Sequence, residues 1–200
     1  MKIPNFKIQQ FITDVANENI FGCLLYGPEE SVANYRFNVI AKRIVADLAD
    51  PFSVVSISKE RLKENKSVLF DEFYSISMFG GRRLISIKDS DNSIAESLDE
   101  ISKNLSNSAK ENNFILIQAS ELTPASSLRK FAENNSHFAS IACYEDDEKT
   151  IKTFIEAILK KSQIAFDSDV IMSLMNKFGK NRLIILNELE KLALFMGEDK

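Results

Sequence analysis

Five short runs rich in β-branched and aromatic residues, at 20–26, 52–57, 83–88, 114–119 and 138–143, are spaced so that most neighbours leave room for a helix between them. This rhythm limits the possible folds more than any other feature of the chain. Short apolar runs bounded by turn signals read as buried strands. The intervening polar stretches have helical spacing: 30–49 carries Val32, Tyr35, Val39, Ile40, Ile44 and Leu48 on one side, and 93–111 carries Ile94, Leu98, Ile101 and Leu105. Both are expected to be amphipathic helices. Strands alternating with helices predict right-handed crossovers and a mainly parallel sheet covered on both faces, an α/β domain. With 200 residues and 44% apolar content, the chain can fill such a core without staples.

After Tyr144 the rhythm stops. Glu145-Asp146-Asp147-Glu148 opens a tail without a strand-like run, in which helices are predicted at about 147–161, 167–178 and 181–196. Asp167 or Ser168 supplies a capping oxygen for the second, and Gly179 stops it. The expected organisation is therefore an α/β domain over 1–143 and a small helical domain over 144–200.

Composition removes several function classes. Cys23 and Cys143 each sit in an apolar run and read as buried free thiols of a reducing compartment. His137 is the single histidine, which argues against a His-built zinc site and a Ser-His-Asp triad. The opening residues lack the pattern of a signal peptide, and no apolar run reaches membrane-spanning length. Basic residues number 25 against 29 acidic, for a net charge of -4, and are scattered, which disfavours strong autonomous nucleic-acid binding.

The turn after the first strand, Gly27-Pro28-Glu29-Glu30, has the position of a phosphate-binding loop but not its parts. A working P-loop needs a second glycine for close backbone approach and a Lys followed by Ser or Thr for the phosphates and magnesium. Glu29 and Glu30 would instead repel a triphosphate, and they suit a helix N-terminus through the macrodipole. Asp89 and Asp91 follow the third strand, where paired acids hold magnesium in receiver domains and NTPases; Asp-Ser-Asp in a turn is ordinary loop chemistry, and that is the reading preferred for them. Glu145 to Glu148 reads as a solvated helix start rather than a metal site. Ser126-Ser127-Leu128-Arg129 has the residue types of an arginine-finger motif in the wrong order, and reads as a helix start with a surface Arg. No metal site, cofactor or catalytic group is predicted.

The most unusual segment runs from Ser67 to Arg83. Ser67 is expected to cap a helix whose apolar face is Phe70, Phe73 and Tyr74, and Gly80-Gly81 to stop it, with Met78 and Phe79 at its C-terminal tip. From physics alone, Met78 and Phe79 pack back onto the sheet as a cap.

At this segment the chain resembles the delta subunit family of the bacterial DNA polymerase III clamp loader. The carrying stretches are 24–30 (Leu24-Leu25-Tyr26-Gly27-Pro28-Glu29-Glu30), 50–55 from Asp50-Pro51-Phe52, 76–85 containing Met78-Phe79-Gly80-Gly81-Arg82-Arg83, 126–131, 143–148 and 187–192 from Asn187-Glu188-Leu189. The resemblance implies a degenerate RecA-like AAA+ domain with a five-stranded sheet over 1–143 and a three-helix lid over 144–200. A third, collar domain of the family is expected to be absent from this chain, so that assembly of the loader pentamer through the collar is lost. It also implies a subunit without ATP hydrolysis, working in the cytoplasm at the nucleoid-associated replisome. Its implied partners are the sliding clamp (beta subunit), the gamma/tau and delta prime subunits, and primer-template DNA through the assembled complex.

In this family a hydrophobic pair, commonly Leu-Phe, inserts into a pocket on the clamp. The resemblance gives that role to Met78 and Phe79, with Ser77 as a rim contact, and so reverses the expectation from packing alone. The rival readings are an active P-loop NTPase at the Gly27 turn and a magnesium-dependent receiver domain at Asp89 and Asp91.

Overall fold

Gly22–Tyr26 forms strand β1 and is buried at every position. An uninterrupted apolar run can bury both faces of its pleat only at the middle of a covered sheet. β1 lies parallel between β4 (Asn113–Ala119) and β5 (Phe138–Ala142). β3 (Arg83–Ser90) pairs with β4, and the short edge strand β2 (Val54–Ser56) pairs with β3, giving the order β2-β3-β4-β1-β5 with every pairing parallel. The computed structural model describes residues 1–17, 19–65, 67–76 and 80–197. It divides into two units, Met1–Cys143 and Tyr144–Lys200.

In the first unit, helices α1 (Ile8–Asp14) and α2 (Glu30–Ile44) cover one face of the sheet through Phe11, Phe37 and Ile40, packed with Leu25, Leu84 and Leu116. The other face is covered by α3 (Lys59–Glu64), α4 (Val68–Tyr74), α5 (Ala95–Lys103), α6 (Asn107–Asn112) and α7 (Ser127–Asn134). Leu69, Phe73, Leu98, Ile101 and Leu128 pack there with Phe21, Ile85, Ile117 and Phe138. Phe73 is fully buried, with its ring edge-on to Phe21 at 5.6 Å.

The structure corrects several boundaries. The first long helix ends at Ile44, not at 49, because Val45 turns to an extended backbone and is itself buried, so Leu48 falls beyond the helix. The segment 93–111 is two helices: Asn104 ends α5, and the Ser106 hydroxyl restarts the chain by capping the Ala109 amide at 3.2 Å. Ser67 stands at the start of α4, but its hydroxyl bonds the Asn65 and Asp71 side chains and caps no amide. That helix ends at Tyr74, with Ser75 and Ile76 non-helical, instead of running on to the glycines. Ser77, Met78 and Phe79 lie outside the described residues.

The second unit is three helices, α8 (Glu148–Lys161), α9 (Ser168–Phe178) and α10 (Arg182–Met196), capped in turn by the side chains of Asp147, Asp167 and Asn181. Ile151, Ile155, Leu159, Ile171, Ile185 and Leu189 form its core. Gly179, at φ 62, ends α9. Arg182 grips Asp146 with both prongs, at 2.5 and 3.0 Å, and both groups are buried. Removing either partner would strand a charge in a low-dielectric site.

Candidate functional site

At the carboxyl end of the sheet, the β1–α2 turn is the three residues Gly27-Pro28-Glu29. Its two amides are already used. The Gly27 amide donates to the Ser120 carbonyl at 3.3 Å and the Glu29 amide to the Cys143 carbonyl at 3.2 Å, while the Cys143 amide donates to the Tyr26 carbonyl at 2.6 Å. Gly27 has φ +148, and a Cβ there would stand 2.1 Å from the Cys143 carbonyl oxygen. Helix α2 starts at once with Glu30, and Val32 and Ala33 in its first turn are buried. The Ser31 hydroxyl donates to Glu29 at 2.8 Å, keeping a carboxylate at the turn.

Beside the turn, the Tyr26 hydroxyl and the Arg129 Nε both donate to Glu133 Oε1 at 2.9 Å, and Arg129 Nη1 donates to the Leu122 carbonyl at 3.0 Å. Burial opposes ionisation of Glu133, but these two hydrogen bonds and the charges of Arg129 and Lys2 together hold the carboxyl below its ordinary range. Ser126 caps α7 as expected. Arg129, however, is an interior side chain of this network and not a surface one, because its guanidinium also lies over the Tyr26 ring at 5.0 Å.

The third strand runs on to Ser90, so Asp89 lies within β3 and only Asp91 follows it, and the two candidate acids do not act together. The parallel register slips between Ile87 and Ser90, which puts Asp89 in the left-handed region at φ 54 and exposes it. Asp91 caps the following turn through the Ser93 amide at 2.9 Å and pairs with Lys59 at 2.6 Å. Among the described residues, no three acidic, His or Cys groups gather as a cation site.

The hydrogen bond from Lys59, with that from Ser93, holds the Asp91 carboxyl well below its ordinary range. A depressed folded-state pKa stabilises the fold above the unfolded value of about 3.9 and ceases to do so as pH falls toward the folded value. Asp91→Asn is therefore expected to flatten the acid limb of a melting-temperature profile below about pH 4, by a small amount because solvent screens this exposed pair. Identical acid limbs for the two proteins would refute the assignment.

The second constellation lies at the opposite, amino end of β3 and β4. Arg83, the first residue of β3, donates from Nη1 to the Glu72 carbonyl at 2.9 Å and the Ser75 carbonyl at 3.3 Å, and from Nη2 to the Glu72 carboxylate at 2.9 Å. Asn113, the first residue of β4, donates to the same Ser75 carbonyl at 3.3 Å. Arg82 turns elsewhere: it reaches the carbonyls of Ala16, Ile20 and Lys110 at 3.2, 2.9 and 3.2 Å and stacks on Phe114. Burial lowers its guanidinium to about 10, so it remains charged at neutral pH. Both arginines thus spend donors on carbonyls within the first unit. Lys42 and Arg43 are exposed near the end of α2. The Arg-Arg pair after Gly-Gly was visible in the sequence, but its carbonyl partners were not.

A parallel sheet in this strand order, carrying helices on both faces and followed by a three-helix unit, is the RecA-like fold of AAA+ proteins. A family model described as "DNA polymerase III, delta subunit" matches residues 24–142, and the chain belongs to that family. It is 27% identical over 181 residues to the probable DNA polymerase III subunit delta of Rickettsia prowazekii, covering 90% of this chain and 52% of that protein. The chain thus spans about half the length of the curated relative it matches.

Among solved structures, the Bacillus subtilis DNA clamp loader delta protein superposes with TM-score 0.68 at 17% identity, over 96% of this chain and 58% of that one. A gamma subunit-related protein of DNA polymerase III from Thermotoga maritima follows at TM-score 0.52 and 11% identity, over 95% and 61%. At these identities the superpositions speak for the fold alone. No helix among the described residues is long and apolar enough to cross a membrane.

Proposed function

We propose that this chain binds the sliding clamp and opens its ring, using Met78 and Phe79 as the inserted pair and Ser77 at the rim. The observation that carries the reading is the family match together with the position of this segment. It follows directly on the end of α4, which Arg83 and Asn113 hold at the amino end of the sheet, away from the β1–α2 turn. An apolar pair leaving an anchored stem is what a hot spot in a preformed pocket requires.

Residues 1–143 act in this reading as a degenerate AAA+ domain that neither binds nor hydrolyses ATP. Its support is the three-residue turn whose amides serve Ser120 and Cys143, with Glu29 and Glu30 where phosphates would sit and no Lys-Ser or Lys-Thr following. Residues 144–200 act as the lid. Its partners in the loader are the gamma/tau and delta prime subunits, neighbouring motor subunits supply hydrolysis, and primer-template DNA is met through the assembled loader in the cytoplasm. Ring opening follows only if the chain binds the open-interface clamp better than the closed one, since equal affinity shifts no equilibrium.

The test is calorimetric titration of the chain into its cognate clamp, with the clamp's opening rate measured alongside. Saturable binding and faster opening are expected. A clamp that neither binds the chain nor opens faster in its presence would refute the reading.

A further inference from the structure

Ser75 is held more firmly than the end of a helix requires. The last turn of α4 is already closed by its own groups: the Ser75 amide donates to the Glu72 carbonyl at 3.3 Å and the Ser75 hydroxyl to the Asp71 carbonyl at 2.7 Å. Such bonds are enough to satisfy carbonyls left over at a helix terminus. The Arg83 fork nevertheless adds bonds to both the Glu72 and Ser75 carbonyls, and Asn113 adds another to Ser75, which is the first residue beyond the helix. The Glu72 carboxylate fixes the fork from the other side at 2.9 Å and ties it to Arg61 of α3 at 3.3 Å.

The next residue, Ile76, turns its side chain to solvent and is 82% exposed. The chain is held again at Arg82, by the carbonyls of Ala16, Ile20 and Lys110. The residues flanking 76–81 are thus both anchored: the Ser75 carbonyl accepts from the Arg83 and Asn113 side chains, and the Arg82 side chain donates to carbonyls from other parts of the sequence.

We infer that Arg83 is a positioning residue for clamp binding: it touches no clamp atom, and it sets the stem from which Met78 and Phe79 are offered. This rests on the clamp-binding reading above. Fixing the stem in advance reduces the ordering that association must impose, and lost pre-organisation appears as lost affinity. The planar fork matters as well as the charge, because the single nitrogen of a lysine cannot stand at both the Nη1 position, which serves the carbonyls, and the Nη2 position, which serves the Glu72 carboxylate.

The experiment compares clamp affinity for the unmutated chain, Arg83→Ala, Arg83→Lys and Ile40→Val, each at a temperature where its melting curve shows it folded. Ile40 lies in the apolar cluster on the far face of the sheet, so its variant loses stability without disturbing the stem. A synthetic peptide of residues 75–81 gives the affinity of the segment without its scaffold. Arg83→Ala is expected to weaken binding about tenfold, toward the peptide value, with Arg83→Lys between and Ile40→Val unchanged. Equal affinity of the unmutated chain and both Arg83 variants would overturn the positioning role while leaving the clamp reading intact. Should Arg83→Ala fail to fold, Arg83→Lys decides alone. Absence of binding by the unmutated chain would remove the clamp reading and the positioning role with it.

Discussion

Replacing Met78 and Phe79 together by Ala is expected to weaken clamp binding by about three orders of magnitude and to leave the melting temperature of the chain unchanged. In the proposed reading, burial of the two side chains in a clamp pocket would contribute about 3 to 6 kcal/mol, and about 4 kcal/mol corresponds to a thousandfold in affinity. Phe79→Ala alone should account for more of the loss than Met78→Ala, since the ring removes more apolar surface and is rigid, whereas Met adapts its shape at some entropic expense. Calorimetry with the cognate clamp reads the affinity, and thermal unfolding reads the fold. If these residues instead packed onto the sheet as a cap, the double variant would lower the melting temperature and leave whatever clamp affinity exists untouched. A double variant binding within about threefold of the unmutated chain would exclude them as the hot spot.

The strands that were legible in the sequence are those whose environment is uniform. β1, β4 and β5 lie in the covered part of the sheet, so their runs are continuous and their registers follow. The edge strand β2 was overestimated. Of the expected 52–57, only Val54–Ser56 is strand, because Asp50 captures the Phe52 amide at 3.0 Å and the Ser53 hydroxyl at 2.5 Å and holds them in a turn. The same competition of short polar side chains for the backbone explains α4, where the Asn65 carboxamide takes both the amide and the hydroxyl of Ser67. The short helices α1 and α3 offered too few periodic positions to stand out from their surroundings.

Long-range polar pairing was not legible. The Arg129–Glu133 pair has helical i,i+4 spacing that a sequence can suggest, yet its burial depends on Tyr26 and the Leu122 carbonyl, which only the fold brings to it. Arg83 and Asn113 meet Ser75 because they begin neighbouring parallel strands, in a register where Arg83 is opposite Asn113. Nothing in the local sequence of either residue marks that meeting. Arg82 donates to three main-chain carbonyls, and Arg83 divides its donors between carbonyls and the Glu72 carboxylate, partners that lie far off in sequence or across the strand start.

Gly27→Ala is expected to destabilise the first unit by about 4 kcal/mol or more, at the far end of what single substitutions do. Two effects combine. A residue with a side chain at φ +148 occupies a region that costs on the order of 1 to 3 kcal/mol. The added Cβ would also lie 2.1 Å from the Cys143 carbonyl oxygen and 2.7 Å from its carbon, which are main-chain atoms that no rotamer change can move. Cys143 cannot retreat cheaply, because its amide is bonded to the Tyr26 carbonyl and its carbonyl receives the Glu29 amide. Gly81→Ala separates the two effects: Gly81 has φ +82, and among the described residues a Cβ added there would meet nothing within 4 Å, so its expected cost is the backbone strain, about 1 to 2 kcal/mol. Equilibrium denaturant unfolding of both variants provides the comparison, and equal losses would mean that the Gly27–Cys143 contact yields. Unequal losses as described would make the Gly27 turn a joint between β1 and the end of β5, whose amides are committed to the fold and not held open for a phosphate.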